Sequence, residues 1–71
     1  MSVEIRADLG ANVWMIVVAV GDRVLEGEPL MILESMKMEI PVSSEDEGTV
    51  TKLHVAEGEM IEAGQILAEL D

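Results

Sequence analysis

The chain has 71 residues, fifteen of them acidic and four basic (Arg6, Arg23, Lys37 and Lys52), for a formal charge of −11; it has no cysteine, a single aromatic residue, Trp14, and 49% hydrophobic content. These figures exclude a disulfide scaffold and, given the apolar content, a disordered chain. They also argue against nucleic acid and anionic membrane as partners, since both need clustered Lys and Arg.

One domain over residues 1–71 is expected at this length. Residues 1–6 lack the basic start and apolar stretch of a secretory signal, and no apolar run approaches membrane-spanning length. A cytoplasmic protein is therefore expected. Residues 13–20 are the longest apolar run, short and β-branched, which predicts a strand. Residues 30–38 and 59–70 are rich in Leu, Met, Glu and Ala and look helical by propensity. Pro29 and Pro41 bracket the first of these stretches, and interior prolines break helices. Gly58 and Gly64 punctuate the second as Gly21 and Gly27 punctuate residues 18–30, each glycine costing roughly 1 kcal/mol inside a helix. Short strands between such turn signals predict an all-β sandwich or barrel. Residues 45–47, Glu-Asp-Glu, predict a solvated loop.

Sliding the sequence along itself by 37 residues lays Val18–Glu34 over Val55–Asp71. Gly21 meets Gly58, Asp22 meets Glu59, Val24 meets Ile61, Gly27 meets Gly64, Leu30 meets Leu67 and Leu33 meets Leu70. Upstream, Val13 meets Val50 and Ile16 meets Leu53. Halves of roughly 1–36 and 38–71 predict a pseudo-twofold domain in which each unit buries one face against the other. Two copies are too few for a solenoid. The expected core is Val13, Ile16, Val18, Val24, Leu30 and Leu33 with Val50, Leu53, Val55, Ile61, Leu67 and Leu70. At roughly 1.5–3 kcal/mol each, that burial supports a small fold without staples.

Between the halves lies Glu34-Ser35-Met36-Lys37-Met38-Glu39-Ile40-Pro41. If strands flank it, Lys37 sits at a hairpin tip, with both chain ends together at the other end of the domain. Tips favour Asn, Gly and Asp, whereas this one has methionines around a lysine. A two-residue turn at Met36-Lys37 would set Glu34 against Glu39, which is mildly destabilising. Local inconsistencies of this kind tend to mark function.

Glu34-Ser35-Met36-Lys37-Met38-Glu39 resembles the attachment motif of biotinyl domains, in which the lysine between two methionines is biotinylated. Gly21-Asp22-x-Val24-x-x-Gly27, Pro41-Val42, Gly48-x-Val50, Gly58 and Gly64 also resemble the biotinyl/lipoyl family, so the likeness covers nearly the whole chain. The commoner motif has Ala where Ser35 stands, and no protruding insertion separates the early strands. The chain looks like the compact, free-standing type, similar to the small biotin/lipoyl attachment proteins of bacteria. The resemblance implies a flattened antiparallel barrel-sandwich of two four-stranded sheets with quasi-twofold symmetry.

The resemblance also implies a biotin carboxyl carrier module rather than an enzyme. A biotin protein ligase would recognise Glu34, Ser35, Met36, Met38 and Glu39 and acylate Lys37. Biotin carboxylase and carboxyltransferase would then be the partners, linked by a swinging arm. A lipoyl or dual biotin/lipoyl acceptor is the alternative within the family, although lipoyl tips usually carry Asp-Lys. An unmodified adaptor module is the alternative outside it. Gly21, Gly27, Gly48, Gly58 and Gly64 would serve turns. No metal-ligand spacing is present, and His54, with no partner evident, is expected to be a surface residue.

One asymmetry separates the halves. Trp14, Met15 and Val17 correspond to Thr51, Lys52 and His54. A monomer is expected, with the Trp14 face as a possible weak contact patch.

Overall fold

Short aliphatic runs between glycine turns fold into eight strands: β1 (Val3–Arg6), β2 (Ala11–Ile16), β3 (Arg23–Val24), β4 (Pro29–Ser35), β5 (Met38–Ser43), β6 (Gly48–Leu53), β7 (Met60–Ile61) and β8 (Ile66–Leu70). The computed structural model describes residues 2–71. They contain no helix, so none is long and apolar enough to cross a membrane. The two stretches that look helical by propensity are strand β4 and the β7–turn–β8 segment. Within residues 13–20 strand β2 ends at Ile16; Val17 N–H still donates to Leu30 C=O of β4 at 3.0 Å, and the run then leaves the sheet.

The strands form two four-stranded antiparallel sheets, ordered β1-β8-β6-β3 and β5-β4-β2-β7. Each sheet therefore takes two strands from each half. The halves are interleaved, which corrects the expectation of two units packed face to face. Val3 pairs with Leu70, so β1 starts beside the end of β8; residue 1, expected next to residue 71, lies outside the described residues.

The 37-residue repeat extends to individual hydrogen bonds. Val13 N–H donates to Glu59 C=O as Val50 N–H donates to Asp22 C=O, both at 2.8 Å. Gly21 N–H donates to Val50 C=O as Gly58 N–H donates to Val13 C=O, both at 2.7 Å. Four β-turns repeat likewise, with Gly21, Gly27, Gly58 and Gly64 at φ between 87° and 99°, a region that other residues avoid. In each turn the side chain three residues on closes the loop. Asp22 accepts from Ala19 N–H and Glu59 from Ala56 N–H; Glu28 accepts from Leu25 N–H and Gln65 from Glu62 N–H.

Gly48 is not a turn residue. It opens β6, buried and extended opposite Val24. A Cβ there would lie 3.2 Å from the Asp71 carbonyl oxygen and 3.3 Å from Leu70 Cβ. The close passage of the end of β8 sets the residue type. Gly48→Val is expected to destabilise by about 1–3 kcal/mol through overpacking. Urea denaturation checks this; no change in midpoint would mean that β8 yields freely.

Nine of the twelve expected core residues are buried, while Ile16, Val18 and Leu53 are partly covered. Ala7, Ala11, Met31 and Ala68 join the core unexpectedly. Met31 and Ala68 follow from bulges. The register slips at Leu30 in β4 and at its repeat mate Leu67 in β8. A bulge turns two successive residues to one side, so Leu30-Met31 and Leu67-Ala68 are both buried. Two apolar clusters result, one around Val13, Met31, Leu33 and Leu67 and one around Val24, Leu30, Val50 and Leu70, with Leu53 packed against both.

Candidate functional site

Strands β4 and β5 form the hairpin that joins the halves. β4 is seven residues long and lies inside its sheet, between β5 and β2. Its Met31 and Leu33 are fully buried, and Ile40 and Val42 of β5 pack on the same cluster. This anchors the hairpin below its tip. Register runs Leu33 to Ile40, Glu34 to Glu39 and Ser35 to Met38, leaving Met36 and Lys37 as the two-residue turn.

The turn geometry is costly for its sequence. Met36 has φ 53° and Lys37 φ 64°. Positive φ at both central positions is the signature of a type I′ hairpin turn, whose preferred residues are Asn-Gly. Left-handed backbone costs an ordinary residue about 1–2 kcal/mol. Two such residues in succession are held by the hairpin beneath them. Met36→Gly relieves one of them and is expected to stabilise the domain by about 0.5–1 kcal/mol. Thermal unfolding reads this; a lower melting temperature would mean that Met36 stabilises the tip by packing. Packing is not expected of Met36, which is 90% exposed; Met38 is 62% exposed.

The electrostatics isolate the lysine. Among the described residues Lys37 makes no ion pair, whereas Arg6 pairs with Glu4 at 2.9 Å and Arg23 with Glu47 at 3.5 Å. Glu34 and Glu39 face each other one step below the turn. The tip is thus a lone primary amine between two exposed thioethers, above a pair of carboxylates. The other lysine, Lys52, lies exposed in β6 of the opposite sheet, paired in register with Glu69.

Two further features were candidates for chemistry. His54 Nε2 lies 2.6 Å from Glu69 Oε2, so it has a partner that its sequence position did not reveal. Among the described residues no other side chain forms an ion pair with either of them. A groove of about 270 Å³ opens between the edge strands β1 and β5, lined among others by Val3, Ile5, Ile40 and Val42. Val3/Ile40 and Ile5/Val42 are repeat mates, so the groove is the seam on the pseudo-twofold axis. No cluster of acidic, His or Cys side chains among the described residues is placed to hold a metal.

Residues 2–70 match the Biotin_lipoyl family, whose description is "Biotin-requiring enzyme". The chain belongs to the biotin/lipoyl attachment family. Among members of that family, it is 44% identical over 68 residues to the biotinylated protein TB7.3 homolog of Mycobacterium leprae, covering 96% of each chain. It is 39% identical over 70 residues to the biotin/lipoyl attachment protein of Bacillus subtilis, covering 99% of this chain and 93% of that one. Among solved structures, the urea carboxylase of Kluyveromyces lactis superposes with a TM-score of 0.94 at 32% identity, over 100% of this chain and 6% of the enzyme. The attachment fold, with two four-stranded antiparallel sheets, is the one found here.

All six residues from Glu34 to Glu39 fall together on this hairpin. What the sequence did not reveal is the neighbourhood below it. Ile32 and Pro41 continue the exposed side of the same two strands, and Met15 sits beside Ile32 across β2. The bulge at Trp14 hides that alignment from simple alternation.

Proposed function

We propose that this chain is a biotin carboxyl carrier module in which Lys37 carries the biotin. The observation that carries the reading is the placement of a lone exposed amine on a strained, firmly anchored turn between Met36 and Met38. The donor chemistry fits the group: an accessible primary amine is what an activated carboxylate needs to form an amide. Lysine amines are protonated at neutral pH, so a biotin protein ligase supplies the base. Lys37 Nζ then attacks the acyl carbon of biotinyl-adenylate, the amide C–N bond forms, AMP leaves and the amine proton passes to the ligase. Glu34, Ser35, Met36, Met38 and Glu39 are the recognition surface around that amine.

Bound there, biotin supplies a ring nitrogen that takes up and gives up a carboxyl group. The chain itself contributes position. The buried foot of the hairpin fixes the attachment point, and tethering raises the effective concentration of the carried group at each partner site. Biotin carboxylase and carboxyltransferase are those partners, met by a monomeric carrier in the cytoplasm. Lipoate is the less favoured cargo, because Met36 stands where lipoyl tips usually carry Asp.

Intact-mass spectrometry after incubation with a biotin protein ligase, ATP and biotin tests the reading. One biotin-sized gain is expected, mapped to Lys37 and not to Lys52 by peptide fragmentation. A lipoyl-sized gain with a lipoate ligase and none with biotin would overturn it in favour of lipoate. No gain under either ligase would make the chain an unmodified adaptor.

A further inference from the structure

The pseudo-twofold axis provides an internal comparison for the outer faces of the two sheets. Met15, Ile32 and Pro41 are successive cross-strand neighbours across β2, β4 and β5. Their repeat mates, Lys52, Glu69 and Glu4, are successive cross-strand neighbours across β6, β8 and β1. The backbone and register are the same, yet one row is apolar and the other fully charged. The pattern continues beside the rows. Trp14 matches Thr51, both at bulges, and Val17 matches His54. Trp14 is 46% and Val17 45% exposed. The fold therefore does not require these positions to be apolar, since it accepts charged and polar side chains at each equivalent one.

Charge is partitioned the same way. Arg6, Arg23 and Lys52 all lie in the sheet of β1, β8, β6 and β3. The strands of the other sheet, whose β4 and β5 carry the Met36-Lys37 turn, contain no basic residue and hold Glu34 and Glu39, while Glu57, accepting from Ile16 N–H at 2.9 Å, borders the patch near the end of β2. The face is apolar with an acidic rim. It is also continuous with the tip: along β4 and β5, Ile32 and Pro41 are followed by Glu34 and Glu39 and then by the turn. A second copy is a poor occupant, because an isologous contact would set acidic rim against acidic rim. A protein surface with an apolar centre and a Lys/Arg rim is complementary.

We propose that this outer face, formed by Trp14, Met15, Val17, Ile32 and Pro41, docks the biotin protein ligase. The inference rests on the reading of Lys37 as the biotinylated residue. It follows from reach. An unmodified lysine is a short side chain on a tight turn, so the enzyme that acylates it must press against the hairpin and the face that runs on from it. An enzyme acting on the far end of a long acyl-lysine arm has no such need.

The test grafts the other half's residues onto the patch, as Trp14→Thr, Met15→Lys and Val17→His together. In steady-state biotinylation by a biotin protein ligase, KM for the triple variant is expected to rise at least about tenfold, the effect of losing one interface hot spot. The kcat is retained, and Lys52→Met on the opposite sheet leaves both constants unchanged. Wild-type KM in a folded triple variant overturns the docking face while leaving the carrier reading intact. Failure of the wild-type chain to take up biotin overturns both. Should the triple variant unfold, NMR titration of unreactive Lys37→Arg protein with ligase decides: the Trp14 indole signal shifts if the face docks, and an unperturbed indole overturns the inference. A wild-type dimer in sedimentation velocity, lost in the triple variant, would assign the face to a second copy and overturn it too.

Discussion

Lys37→Arg is expected to abolish biotin uptake completely while leaving the fold and its stability unchanged. The substitution keeps the positive charge and a long flexible stem. It removes the chemistry, because a guanidinium is not deprotonated in proteins and cannot act as the acylated amine. The left-handed backbone at φ 64° is as costly for Arg as for Lys, and the exposed tip offers nothing for a larger head group to clash with. Melting temperature should therefore match the wild type, and the intact mass should show no gain after ligase treatment. Lys52→Arg is the matched control, with a full gain expected. Residual modification of Lys37→Arg would place the attachment point elsewhere and remove the basis for the site.

Leu33→Ala and Leu70→Ala form a pair made comparable by the repeat. Both leucines are at most 1% exposed, and they occupy equivalent places in the two interleaved sheets. Leu→Ala in a packed core costs about 2.7–5 kcal/mol, the upper end where the surroundings cannot collapse. A domain of this size holds roughly 4–11 kcal/mol in total, so either variant is expected to be marginally folded at room temperature. Leu33 sits in the larger cluster, with Ile40 and Val42 of the hairpin packed against that cluster. Its loss should be the greater and should also loosen the tip, lowering the biotinylation rate beyond the unfolded fraction. Chemical denaturation and ligase kinetics on the same samples separate the two effects. A cost below about 1.5 kcal/mol for both would mean that the clusters repack readily around a missing side chain.

The repeat made most of the fold legible. Equal spacing of glycines and leucines in two halves implies equivalent turns and strands, and the hydrogen bonds are equivalent too. Val13 with Val50, Val24 with Ile61 and Leu33 with Leu70 were readable as core because their partners shared the pattern. Met31 and Ala68 were not, since a bulge changes which side a residue faces and leaves no mark on composition. Gly48 was misread for a related reason: glycine signals either a positive φ or a close approach, and only the packing of Leu70 and Asp71 against β6 distinguishes them. At the tip, Met36 and Lys37 stood out because they contradict turn preference. The apolar row that runs on from the tip did not stand out. Met15, Ile32 and Pro41 are far apart in sequence, and only the register brings them together.

Because each sheet draws two strands from each half, neither half owns a complete sheet. A fragment ending at Ser35 holds two edge strands and two inner strands but lacks the neighbours that they pair with, apart from the β2–β4 contact. Two such fragments related by a true twofold axis would supply those neighbours to each other. In this architecture the Met36-Lys37 linkage is topologically equivalent to a covalent join between subunits. Joining two such subunits through one two-residue turn would yield this arrangement, and the join would fall at the exposed tip, where the exchange of strands between the halves leaves the packing undisturbed.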